Sequence, residues 1–161
     1  MKNIEVLEIY NKLEKADLKG ISGSKLNFAI LTNKELLKTI STNMQASRVY
    51  APEFEQYMIE AKKIFDKYAD KDAAGNNVVY NETTYKISDL ADLQKYKDEV
   101  LEFNVINADT LAAAKLVDEE YVTFLEEECS IELKKIDITL IPESMTIEQL
   151  DALMFMVVNN E

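Results

Sequence analysis

Residues 53–87 read EFEQYMIEAKKIFDKYADKDAAGNNVVYNETTYKI, and two hydrophobic periods meet in them. Over 53–69 the apolar residues Phe54, Tyr57, Met58, Ala61, Ile64, Phe65 and Tyr68 recur at helical spacing, with Glu55, Glu60, Lys62, Lys63 and Lys67 between them. That is one apolar helix face, and it reads as core. The run from Ala69 to Asn77 is turn chemistry, with Gly75 suited to a left-handed conformation. Val78–Tyr80 and Thr84–Ile87 then flank Asn81-Glu82-Thr83, which predicts a β-hairpin over 77–88. A helical period that gives way to a hairpin points to the α+β class.

Working outward, Asn3 to Leu18 shows Ile4, Leu7, Tyr10 and Leu13 on one helical face. Gly20, Ser22, Gly23 and Ser24 make 19–24 the best hinge in the chain. Residues 25–47 carry Leu26, Ala29, Ile30, Leu36, Leu37, Ile40 and Met44, but also Asn33, Thr32, Thr39 and Ser41. These polar residues are weak helix formers, so the helix must be held by packing. Pro52 starts or kinks the next helix. Beyond the hairpin, Ser88 or Asp89 caps a helix over 89–103, a break falls in 104–110, and a further helix runs to about 128. Ile131, Leu133, Ile136, Ile138 and Leu140 alternate with polar residues and predict a strand over 130–141, bulged at Lys134-Lys135 and ended by Pro142. The expected architecture is therefore mainly helical, with one small antiparallel sheet made of the hairpin 77–88 and strand 130–141, in a single domain spanning 1–161.

Thr146-Ile147-Glu148-Gln149 matches a capping box and opens a final helix to about 158. Leu150, Leu153, Met154 and Val157 fall on one side of it, and Phe155, Met156 and Val158 on others. A helix apolar all round is either inserted in a core or shared with a second surface. The candidate interface is accordingly Leu153, Met154, Phe155, Met156 and Val157, with a homo-oligomer as the expected assembly.

The 161 residues contain 18 Lys plus Arg and 30 Asp plus Glu, for a net charge of −12, with no His, no Trp and one Cys. His-based triads, His metal sites and an internal disulfide are excluded. With one Arg and this charge, direct nucleic-acid binding is not expected. The acidity serves solubility or docking to a basic surface, such as that of a nucleic-acid-binding protein. The chain shows no 18-residue apolar run, and MKNIEVLEIYNKLEK has no unbroken apolar core. No membrane contact and a cytoplasmic location are expected.

Asp70, Asp72 and Gly75 match three positions of an EF-hand loop, but Ala74 stands where Asp or Asn is required, and Asn81 stands where a bidentate carboxylate is required. The expectation is no metal. Asp118-Glu119-Glu120 and Glu126-Glu127-Glu128 read as a solvated helix face rather than paired catalytic acids. Cys129 follows three glutamates and has no His to activate it, so it reads as a small buried residue. No phosphate-loop pattern occurs, and no cofactor is expected.

Three segments carry a resemblance. They are Lys25-Leu26 through Ala29-Ile30 with Asn33, Leu36 and Leu37; Tyr68 to Asp72 with Gly75-Asn76; and Ile136 to Ile138 through Pro142-Glu143, Thr146, Gln149-Leu150 and Leu153-Met154. Together they resemble a group of small acidic proteins encoded by bacteriophages and prophages of gut and Firmicute bacteria. Pro52 and the segment Asn104–Val117 depart from that pattern. The resemblance implies a phage origin and assigns no residue roles. The function expected from it is non-enzymatic: binding and blocking a host factor in the host cytoplasm, either a defence protein or its small signalling ligand. A virion or assembly component is the alternative, and a carboxylate-based metal hydrolase the remaining one.

Overall fold

The structure, a computed structural model, describes residues 1–81 and 84–159, with side chains outside 79–85. It is mainly helical. In chain order the elements are α1 (Asn3–Lys15), α2 (Ser24–Ala46), α3 (Pro52–Tyr68), β1 (Val79–Asn81), β2 (Thr84–Tyr85), α4 (Leu90–Ile106), α5 (Ala108–Glu126), β3 (Ile136–Asp137), α6 (Ile147–Leu153) and β4 (Val157–Val158). Short 3-10 turns occupy Ile138–Leu140 and Met154–Met156. Among the described residues no helix is long and apolar enough to cross a membrane.

The chain divides into two compact units, one made of Met1–Arg48 with the chain from Glu120 onward, the other of Val49–Glu119. The first unit holds most of the core. Val6, Leu13, Leu26, Leu37, Leu153 and Met156 are fully buried in it, and Ala29, Ile30, Met44 and Ile136 nearly so. Gly20 and Gly23 both take positive φ in the α1–α2 connection, where a side chain would be strained. The start of α1 is tied to the end of α5: the Asn3 side chain donates to the Phe124 carbonyl at 2.8 Å, and Cys129 N–H donates to the Met1 carbonyl at 2.8 Å. Cys129 itself is half-buried against the core.

The strand expected over 130–141 is corrected. Only Ile136–Asp137 form a strand, and they pair in parallel with Val157–Val158, not with the hairpin. Two side chains account for this. Upstream, Asn33 takes both backbone groups of Lys134: its amide donates to the Lys134 carbonyl at 2.9 Å and its oxygen accepts from Lys134 N–H at 2.8 Å. Downstream, the Asp137 carboxylate accepts from the Thr139 N–H at 2.9 Å and hydroxyl at 2.6 Å, which caps a 3-10 turn and ends the strand. The hairpin stands as its own two-stranded antiparallel sheet, β1 with β2; Glu82 and Thr83 of its expected connection lie outside the described residues.

The final helix is corrected as well. Its capping box is present, Gln149 N–H donating to Thr146 Oγ1 at 3.2 Å and Thr146 N–H to the Gln149 side chain at 3.1 Å. It stops at Leu153, however, because Val157 and Val158 pair with β3 and the Phe155 carbonyl is taken by Lys135 Nζ at 2.7 Å. An extended pairing suits two β-branched residues better than a further helical turn.

In the second unit the α3 stripe is less buried than its periodicity implies. Ile64 and Phe65 are half-buried, Met58 is mostly exposed, and no α3 residue is fully buried. The reason is thinness, since α3 packs mainly on α4. The turn after α3 closes on itself: Asp72 Oδ1 accepts from Ala74 and Asn76 N–H, both at 2.9 Å, and Gly75 has φ 83°. The backbone amides that engage Asp72, Asn76 first among them, hold its carboxyl below the usual carboxylate range.

Candidate interaction face

Helix α4 is set at its start by Asp89, whose carboxylate accepts from Ala91 N–H at 2.8 Å and Asp92 N–H at 2.9 Å. Its inner side is keyed to α3 by rings. Tyr57 stacks on Phe54 at 5.7 Å and on Phe103 at 5.2 Å between centroids. Further along, Tyr96 meets Phe65 at 5.3 Å and Tyr68 edge-on at 6.2 Å. Such offset and tilted ring pairs are favourable beyond the area they bury. Polar links fix the rotation: Tyr57 Oη donates to Asn104 at 2.8 Å, while Glu99 accepts from Tyr68 Oη at 2.5 Å and from Lys67 Nζ at 2.6 Å. Lys67 and Tyr68 together lower the Glu99 carboxyl pKa.

With Tyr96, Glu99, Phe103 and Asn104 turned inward, helical spacing places Leu90, Gln94, Asp98, Leu101 and Val105 on the opposite side. Leu101 is 65% exposed and Val105 70%. After Asn107, which ends α4 with φ −102°, α5 turns Ala112 and Leu116 to solvent at the same i, i+4 spacing. The charges around Leu101 and Val105 are Asp98, Glu102 and Asp109 against Lys97. Among the described residues no cation pairs with Glu102 or Asp109. The result is a fixed, outward, apolar surface with an acidic border. It can desolvate against another surface, and its carboxylates can select a basic one.

The residues marked by the sequence lie elsewhere, in the first unit, and do not share one surface. Leu153 and Met156 are fully buried, with Met156 Sδ 3.5 Å from the Asn33 amide nitrogen. Phe155 is half-buried against the core, Val157 sits in β4, and Met154 is 55% exposed. Leu101 follows Leu93, Tyr96 and Val100 in an apolar series that marks a helix without telling which of its residues are covered. The missed signal is excess: α4 has more apolar residues than one helix face holds.

Open clefts occur in the first unit, about 480 Å³ beside Lys12, Lys15 and Ile147, and about 380 Å³ beside Ile21, Leu31 and Lys34. Among the described residues no three His, Cys, Asp or Glu side chains gather as metal ligands would. No protein-family model matches the chain, and no curated protein and no solved structure matches it significantly.

Proposed function

We propose that the chain is a phage-encoded, non-enzymatic binding protein whose outward α4–α5 face occupies and blocks a basic, apolar surface of a host protein. The observation that supports this reading is Leu101 and Val105 exposed on a helix whose other side is keyed by stacked rings, beside Glu102 and Asp109, with which no cation pairs among the described residues. Covering a fully exposed Leu or Val yields about 1.5–3 kcal/mol each, so a few such anchors supply the central contact of an interface. The net charge of −12 adds long-range attraction to a basic partner and speeds encounter. The absence of His from the sequence removes the commonest general base and suits a binding role over a catalytic one. The test is affinity capture from host extract by the intact chain and by Leu101→Lys with Val105→Lys. A specific host protein held by the first and lost with the second supports the reading. Equal capture by both overturns it.

A further inference from the structure

Helix α2 departs from the charge of the rest of the chain. It carries Lys25, Lys34 and Lys38 against Glu35 alone. Its outward side presents Phe28 and Leu31, each 62% exposed, between Lys25 and Lys38. Among the described residues neither of those two lysines has a carboxylate partner. A further cation stands over the ring: Lys134 Nζ lies 5.1 Å from the Phe28 centroid. Its backbone is fixed from within by the Asn33 amide, so this cation is placed by a buried clamp.

This ridge and the α4 face are complements. One sets Phe28 and Leu31 among Lys25, Lys38 and Lys134 with Glu35, Lys34 being paired with Glu14; the other sets Leu101 and Val105 among three carboxylates and one lysine. We infer that the occupant of the α4 face in the free protein is the α2 ridge of a second copy, in a head-to-tail contact. It rests on the α4 face and its acidic border, and it is independent of which host protein that face meets. A like-to-like contact between two acidic faces is opposed by their charge, whereas ridge to face brings opposite charges together over apolar anchors. A heterologous contact of this kind leaves one free ridge and one free face at every stage, so assembly continues until it closes or fibres form. A basic host surface competes for the same carboxylates and therefore breaks the chain of copies as it binds.

Light scattering on three purified proteins tests this. The intact chain is expected to exceed its single-chain mass of 18.4 kDa increasingly as concentration rises. A ridge variant, Phe28→Glu with Leu31→Glu, and a face variant, Leu101→Lys with Val105→Lys, are each expected to stay at that mass. All four positions are exposed, so unchanged far-ultraviolet dichroism is expected and is measured alongside. The decisive sample is the equimolar mixture of the two variants, which retains one ridge and one face in total and should stop at two chains. An intact chain that stays at single-chain mass at every soluble concentration overturns the inference. So does self-assembly of either variant, a mixture that stays single, or a mixture that grows past two chains. A charge reversal gives a second reading: Lys25→Glu with Lys38→Glu should abolish assembly, and a partner bearing Glu102→Lys with Asp109→Lys should restore growth by alternating copies, because that mixture holds two complementary pairs, reversed ridge with reversed face and native ridge with native face. Loss without restoration overturns the charge argument. Because no host protein is present, failure here leaves host binding standing, and failed host capture leaves head-to-tail association standing.

Discussion

Asn33 is a polar side chain with no exposure at all, and replacing it tests how the first unit is held together. Its amide supplies both hydrogen-bonding partners of the Lys134 backbone, at 2.8 and 2.9 Å, across 101 residues of sequence. Asn33→Ala leaves one N–H and one C=O without a protein partner. Each such group costs ~1–3 kcal/mol when buried, and Lys134, whose side chain reaches solvent, recovers part of that from water. Alanine is the better helix former, which returns about 0.6 kcal/mol. The expected net loss is about 2–4 kcal/mol in urea melts followed by dichroism. Asn33→Asp keeps the acceptor but faces the Lys134 carbonyl with a buried carboxylate, so at neutral pH it should cost more than alanine. A loss below about 1 kcal/mol for alanine, or an aspartate variant as stable as the parent, would refute the clamp.

The second unit should be acid-sensitive. Asp70, lowered first by the Ser88 hydrogen bond, Asp72 by Asn76 N–H, Asp66 by Lys62 and Glu99 by Lys67 all titrate below their ordinary values. Groups with depressed folded pKa values stabilise fully above their unfolded values, near 4, and lose that contribution as pH falls through the folded ones. Amide exchange at 70–77 should therefore lose protection below about pH 4, and protection equal to that at neutral pH would contradict these assignments. Phe65→Ala should cost about 1.5–2.5 kcal/mol, roughly half the 3–5 of a fully buried ring, because Phe65 is half-buried. A urea-melt loss above about 4 kcal/mol would mean the ring is more completely covered than its exposure indicates.

What was legible in the sequence is what short-range chemistry decides. Thr146 with Gln149 makes its capping box, Asp89 caps α4, and the break expected in 104–110 falls at Asn107. Each depends on neighbours within a turn or so. What was not legible depends on partners far along the chain. The alternation of Ile131 to Leu140 reads as a strand, but Asn33 substitutes a side-chain amide for the neighbouring strand. Apolar Met154 to Val158 reads as helix, but Ile136 recruits Val157 into a parallel pair. The interaction face was obscured for another reason. Periodicity reports that a position is apolar, and cannot say on which side of α4 the rings of α3 will lie.

The arrangement of the two units along the chain has a consequence for biosynthesis. The second unit is contiguous, Val49–Glu119, while the first is assembled from segments on both sides of it. On the ribosome the second unit is complete while half of the first is still untranslated. Helices α1 and α2 can pack on each other, but the core they share with Leu153 and Met156 stays open until those residues emerge. Contacts of such long sequence separation form late, because the intervening chain must first be closed into a loop. The waiting interval exposes apolar surface to aggregation and to chaperones. A ribosome stalled before Ile136 would release a nascent chain with its inserted part folded and its enclosing part still open.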